Sequence, residues 1–380
     1  MFGYNKNFFF ALSVLIGTIV GAGIFGMPYV VSKSGIIPGF FYFFILGGAV
    51  LLIHLCFGEI ILRTDGQHRL AGYAQKYLGK SGKILAAFSL VAGLSGALLA
   101  YLILAGDFLK ILLSSALNLS SFHYTLILGL ILSYFVFRGI KLIAPTEVLT
   151  NIVFFFIILV VFSFCLPQIS VSNFVLFDPP NIFLPYGVIL FSLIGWSAIP
   201  EMTSILKTRE ERKGIKKIIF FSSAAVLVFY VLFNLGIIGV TGRQTSPDVF
   251  SGLLPFLGEK IIFLGALAGL ITIIDSFLVL ALHLKNVFVY DFKLSKTLAF
   301  FTASGLPLLL FLIGFRSFIG TLGFVGTIIG VIEGVLIILI FRRAKTLGDR
   351  EPEYSLKIPS FLLRFLIFIL ILGAILQFIF

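Results

Sequence analysis

Eleven apolar stretches of roughly 20 residues or more leave this chain few folds to choose from. They run over 8–31, 38–62, 84–113, 123–142, 145–167, 182–206, 215–241, 259–286, 296–314, 318–341 and 359–379. A stretch of that length crosses a hydrocarbon core of roughly 30 Å as a helix. Composition closes off the water-soluble alternative: only 12% of the chain is charged, against about a quarter in a globular domain. The expected fold is an all-α polytopic membrane protein with eleven transmembrane helices.

The formal charge of +12 would point to nucleic acid in a soluble protein. Here the basic residues lie between the apolar stretches, where they set topology. With the N-terminus inside, every Lys and Arg falls on an inner segment except Lys33, Lys110, Arg243, Lys260 and Arg316. The C-terminus is then outside. Cys56 and Cys165 both sit within apolar stretches, which argues against a disulfide framework. The first stretch carries no cleavable signal pattern.

The connections have a rhythm. After helices 1 to 4 they are about 6, 21, 9 and 2 residues long, and after helices 6 to 9 about 8, 17, 9 and 3, as in an inverted-topology repeat. This divides the chain into a first five-helix repeat (1–167), a second inverted one (168–341), and an inner linker with helix 11 (342–380). Each half opens with an interrupted helix. Helix 1 carries Gly17, Gly21, Gly23 and Gly26 ahead of Pro28, and helix 6 carries Gly195-Trp196-Ser197-Ala198-Ile199-Pro200. Gly17 and Gly21 would also suit a small-residue packing seam, and Pro200 a simple kink. Paired interruptions at matching positions are instead the mark of a solute site between discontinuous helices.

The stretch Gly17-Thr18-Ile19-Val20-Gly21-Ala22-Gly23-Ile24-Phe25-Gly26-Met27-Pro28 resembles helix 1 of permeases of the amino acid/polyamine/organocation superfamily. It is most similar to the hydroxy and aromatic (tryptophan/tyrosine) amino acid permeases and the amino acid/auxin permeases. Asp275-Ser276-Phe277-Leu278, followed by Tyr290-Asp291-Phe292, resembles the same branch, whose usual helix count is eleven. The resemblance implies a proton- or sodium-coupled amino acid symporter with the leucine-transporter-type 5+5 fold plus one extra helix. Helix 6 departs from the permease pattern in placing Pro200-Glu201 after the bulky Gly195-Trp196 pair, which leaves the substrate open.

An amino acid presents a carboxylate and an ammonium. Amides at the start of a half-helix suit the first, so Gly21, Ala22 and Gly23 are the expected donors. Carbonyls near Thr18 and Ile19, and near Leu193 and Ile194 beside Gly195, suit the second. Phe191, Ser192 and Trp196 from helix 6, with Ala97 and Tyr101 from helix 3, are the candidate side-chain pocket; the alternative for the aromatics is plain packing. Ionisable groups at membrane depth are costly and usually functional. They are Glu59, Asp107, Glu147, Glu201, Asp275, Glu333, His54 and His283. Asp275 and Glu201 are the leading proton carriers, whereas Thr272 and Ser276 with helix 1 carbonyls would hold sodium. The inner loop 63–83 reads as an interfacial helix and loop 242–258 as an outer lid.

The chain has no metal-ligand cluster and no nucleotide loop, which excludes the common enzyme classes, and no cofactor is implied beyond the coupling ion. Rings of like groups expected of a channel are missing from the sequence. The expected partners are an amino acid and the lipid bilayer, with no nucleic acid and no obligate protein partner, in a multi-pass protein of the cell membrane. A permease-like receptor that senses an amino acid is the competing function.

Overall fold

The computed structural model describes residues 6–138, 143–290 and 292–379; Lys141, Asp291 and the side chains of Glu147 and Tyr290 lie outside the described residues. Among the described residues helix occurs in each of the eleven expected segments, and no strand occurs. The first segment is two helices, α1 (Lys6–Ile19) and α2 (Gly23–Ser34), bent by 52°. Next come α3 (Ile36–Arg63), α4 (Leu70–Leu113), α5 (Ser121–Arg138) and α6 (Ile143–Cys165). The sixth segment is also split, into α7 (Pro185–Leu193) and α8 (Ile199–Ile205). A short helix α9 (Arg209–Arg212) leads to α10 (Ile215–Thr241), then α11 (Phe250–Leu257), α12 (Glu259–Tyr290) and α13 (Lys296–Leu312). The tenth segment is α14 (Phe318–Phe324) and α15 (Val331–Leu347) joined by a π turn over Val325–Gly330, and α16 (Ser360–Ile379) ends the chain.

Among the described residues, eight helices are long and apolar enough to cross a membrane, or nine with α1 and α2 taken as one span. Apolar helix over Ile152–Gln168 and Lys296–Leu312 is shorter. The chain is a multi-pass membrane protein.

Both interruptions have local causes. At the end of α1 the amide of Gly21 turns back to donate to the Ile19 carbonyl at 3.0 Å, and the ladder restarts only with Ile24 and Phe25. In the sixth segment Ile194 is extended, with ψ 126°, and Gly195 follows before a 3-10 turn over Trp196–Ala198. The break therefore precedes Pro200 by five residues. Pro200 lies in the first turn of α8, where a missing N–H costs little. Gly195 is required by space: a Cβ there would run into the side chain of Ile19, so the two breaks meet at van der Waals distance only because glycine stands there. The long α4 turns at Gly79, whose φ of 78° favours glycine. Residues 70–78 thus form a separate helical piece ahead of the span.

Packing divides the helices into two groups. In the first, α1 rests on α8 and α10, α2 on α7 and α10, and α3 on α7 and α10. In the second, α4 rests on α12, α5 and α13, and α12 also on α6. The α15 helix touches α3 on one side and α4 on the other. Between α7 and the π turn the backbones meet: a Cβ on Gly326 would strike the Gly187 carbonyl, and one on Gly187 would strike Thr327 and the Gly323 carbonyl. Small residues permit such approach between apolar helices.

Candidate functional site

A cavity of about 230 Å³ lies where the two broken segments face α4, α12 and the tenth segment. Its wall includes Gly17, Thr18, Ile19, Gly21 and Gly23 from the first break. The second contributes Phe191, Ser192, Ile194, Trp196, Ser197, Ala198 and Glu201. Ala97 and Tyr101 come from α4, Ser276 and His283 from α12, and Val325, Ile329, Gly330 and Glu333 from the π turn and α15.

Buried side chains hold the two breaks in place. The Tyr230 hydroxyl on α10 donates to the Ile19 carbonyl at 2.8 Å and the Ser192 carbonyl at 3.0 Å, so one group ties both breaks together. His54 on α3 accepts from the Gly195 amide through Nε2 at 3.1 Å, which requires that nitrogen to be unprotonated; Nδ1 faces Ser223 Oγ at 3.5 Å. On the opposite wall the Tyr101 hydroxyl stands against Gly21, where a Cβ would lie 2.8 Å from it. Trp196 Nε1 donates to Glu333 Oε2 at 2.6 Å, closing the base of the cavity between the sixth segment and α15.

The cavity is asymmetric. Thr18 and Ser197 are accessible along it, and it extends toward Glu201 and His283, near enough to Arg69 for that cation to act on both. Beyond Gly23, in the other direction, four buried rings pack together. Phe25 of α2 lies 5.1 Å from Phe108 of α4, 5.6 Å from Phe250 of α11 and 6.0 Å from Phe154 of α6, centroid to centroid. Phe108 and Phe250 complete the contact at 5.3 Å. The structure thus has a solute-sized space open toward the end with the basic loops and plugged by aromatics at the other.

A model of the tryptophan/tyrosine permease family matches residues 4–377. The chain belongs to that family. It is 27% identical to a tyrosine-specific transport system of Haemophilus influenzae over 76% of this chain and 68% of that protein. It is 22% identical to a glutamine transporter of Aliivibrio fischeri over 92% of this chain and 91% of that one. This permease is accordingly an amino acid transporter by family, not an enzyme, and a protein of the cell membrane.

Within the permease, two of the residues expected to bind the solute do not line the cavity. Ala22 is buried behind it, and Gly195 lies against Ile19 with its amide on His54. The Gly21 amide, expected to meet a carboxylate, is turned to Ile19 in this conformation. Of the ion-coupling candidates, Glu201 and Ser276 line the cavity, whereas Asp275 and Thr272 lie outside its wall. Thr272 Oγ1 is buried with no hydrogen-bond partner among the described residues. Glu59 is far from the solute space in role: it accepts from Arg63 at 2.7 Å, Lys345 at 2.6 Å and the Leu356 amide at 2.6 Å, fastening the linker before α16 to α3. Asp107 lines a separate cavity that also includes Arg316. Sequence reading missed Tyr230, which offers no signal beyond being a tyrosine in an apolar span. It also missed the contribution of the tenth segment, although Glu333 stood out as an acid at depth.

Proposed function

We propose that this permease is a secondary active transporter that imports amino acids, aromatic or other neutral ones, by ion-coupled symport with alternating access. The observation that carries the reading is the cavity between two broken helices, open at one end and plugged at the other by Phe25, Phe108, Phe154 and Phe250. A rigid pore would need both ends open. The first packed group pairs segments 1 and 2 with 6 and 7, and the second pairs 3 and 4 with 8 and 9, which supports the eleven-span, 5+5 inverted-repeat architecture. With the N-terminus inside and the C-terminus outside, the Glu201 end faces the cytoplasm and the conformation is inward-open. Loop 242–258, which contributes Phe250, then acts as the outer lid.

In this reading the solute's backbone groups meet Thr18, Ile19, Gly21 and Gly23, and its side chain meets Phe191, Ser192, Trp196, Ala97 and Tyr101. Ala22 and Gly195 act by holding the breaks. Coupling is to protons, with Glu201 and Asp275 as candidates. The unpartnered Thr272 Oγ1 favours a second reading in which Thr272 and Ser276 help hold sodium.

Uptake of labelled tyrosine and glutamine into proteoliposomes tests the proposal. Accumulation under an imposed proton gradient, unchanged when choline replaces sodium, is the expected result. Accumulation only under a sodium gradient would move coupling to sodium. Binding without accumulation under either gradient would make the protein a receptor and refute transport.

A further inference from the structure

The cavity holds a second acid beside Glu201, one to which neither its depth nor the family resemblance gave a role. Glu333 reaches the solute space from α15, directly after the π turn over Val325–Gly330. A π turn accommodates an extra residue, rotating the rest of the helix by about 100° relative to an unbroken one. The facing of Glu333, Gly330 and Ile329 depends on that insertion.

Its hydrogen-bond partners are neutral. Oε2 accepts from the Trp196 indole at 2.6 Å, and Oε1 faces Ser89 Oγ of α4 at 3.3 Å. Ser89 has its own acceptor, the Ala86 carbonyl at 3.0 Å, so its oxygen can receive a proton from Oε1. Among the described residues no basic side chain forms an ion pair with Glu333, in contrast to Glu59 with Arg63 and Lys345. Of the helices around it, α3 brings His54, held neutral by the Gly195 amide, and the neutralised Glu59. The α4 helix brings Tyr101, α8 Glu201 and α12 His283, all on the same cavity; α16 brings only the exposed Arg364. A half-buried carboxylate on the wall of a cavity inside the bundle, with no cation paired to it, is costly unless it takes up a proton.

We propose that Glu333 is the group that takes up the coupled proton, cycling between a carboxylate and an acid that donates to Ser89. The inference rests on the symport reading. The proton enters with solute from the outer side and leaves to the inner medium through the Glu201 end.

Trp196 is the only tryptophan in the chain, so its emission reports on the partner of its indole N–H. In the full-length protein in nanodiscs, emission should follow a one-proton transition with pH. Glutamine, itself non-fluorescent, should move that transition to higher pH if it is a solute, because proton and solute favour each other's binding. Glu333→Gln should abolish the transition, and in proteoliposomes it should keep solute exchange while losing accumulation driven by a pH gradient. Flat emission in the wild type, or the same transition in Glu333→Gln, overturns the proposal. Should the glutamine variant fail to fold, Glu333→Asp keeps the acid at a shorter reach and must displace the transition; an unmoved one overturns it. Failure of wild-type accumulation, with the transition intact, would instead refute symport.

Discussion

Replacing Tyr230 by phenylalanine removes one oxygen and leaves the ring in place. That oxygen donates to the carbonyls of Ile19 and Ser192 at 2.8 and 3.0 Å. A hydroxyl has one proton to share between them. Ile19 also receives the Gly21 amide at 3.0 Å, so the loss falls mainly on Ser192. Taking the partner from a buried acceptor costs about 1–3 kcal/mol, a factor of roughly 5–150 in the equilibrium for local opening. Amide hydrogen exchange reads that equilibrium directly. In Tyr230→Phe, amides of residues 192–196 should exchange faster by such a factor, those of 19–24 by less, and those of α13 at the wild-type rate. Exchange unchanged in both breaks would show that the hydroxyl does not hold them, and the account of the site as a pinned pair of breaks would fail.

A Cβ on Gly23 would collide with Ser192 Oγ and lie 2.9 Å from Ser192 Cβ. Gly23→Ala should therefore weaken binding of labelled solute through about 1–3 kcal/mol of overpacking, and adding Ser192→Gly should restore much of it. Removing the acceptor on His54 by His54→Leu strands the Gly195 amide, and thermal unfolding should register a loss of about 1–3 kcal/mol; His54→Gln should recover part of it. Outside the bilayer, the Lys76 ammonium and the Asp65 amide bond the Asp349 carboxylate and hold it below the usual carboxylate range. A depressed carboxyl contributes stability above its unfolded value and loses it as pH falls through the folded one. Melting temperature measured toward acid pH should thus fall less steeply in Asp349→Asn; identical acid limbs would refute the contact.

The breaks were legible because runs of glycine near a proline announce an interrupted helix within a single segment, even though neither Pro28 nor Pro200 lies at the break itself. Part of the cavity wall could be read from them, since Thr18, Phe191, Ser192 and Trp196 flank the two interruptions along the chain. The exact hinge in the sixth segment was less clear, because Pro200 draws attention in a sequence while Gly195 and Ile194 carry the turn. Contacts made across the bundle were not legible, although His54 stood out as an ionisable residue at membrane depth. Tyr230 and His54 lie in α10 and α3, far along the chain from the amides and carbonyls they hold. The π turn hid the tenth segment for another reason: it breaks the regular periodicity by which a helix face is read, so the positions facing the cavity do not fall on one stripe.

The contact between α7 and the π turn has a mechanical consequence. Flexible side chains between two helices act as a cushion, allowing one to slide while the other stays. Gly187 and Gly326 leave little cushion, because the Gly187 carbonyl lies against Gly326 and the Gly323 carbonyl against Gly187. Close-packed matter of this kind transmits displacement with little compliance. Any tilt of α7 must then carry the π turn with it, and Glu333 just beyond. A motion at the plugged end of the molecule would be delivered, as through a gear tooth, to the acid at the base of the cavity.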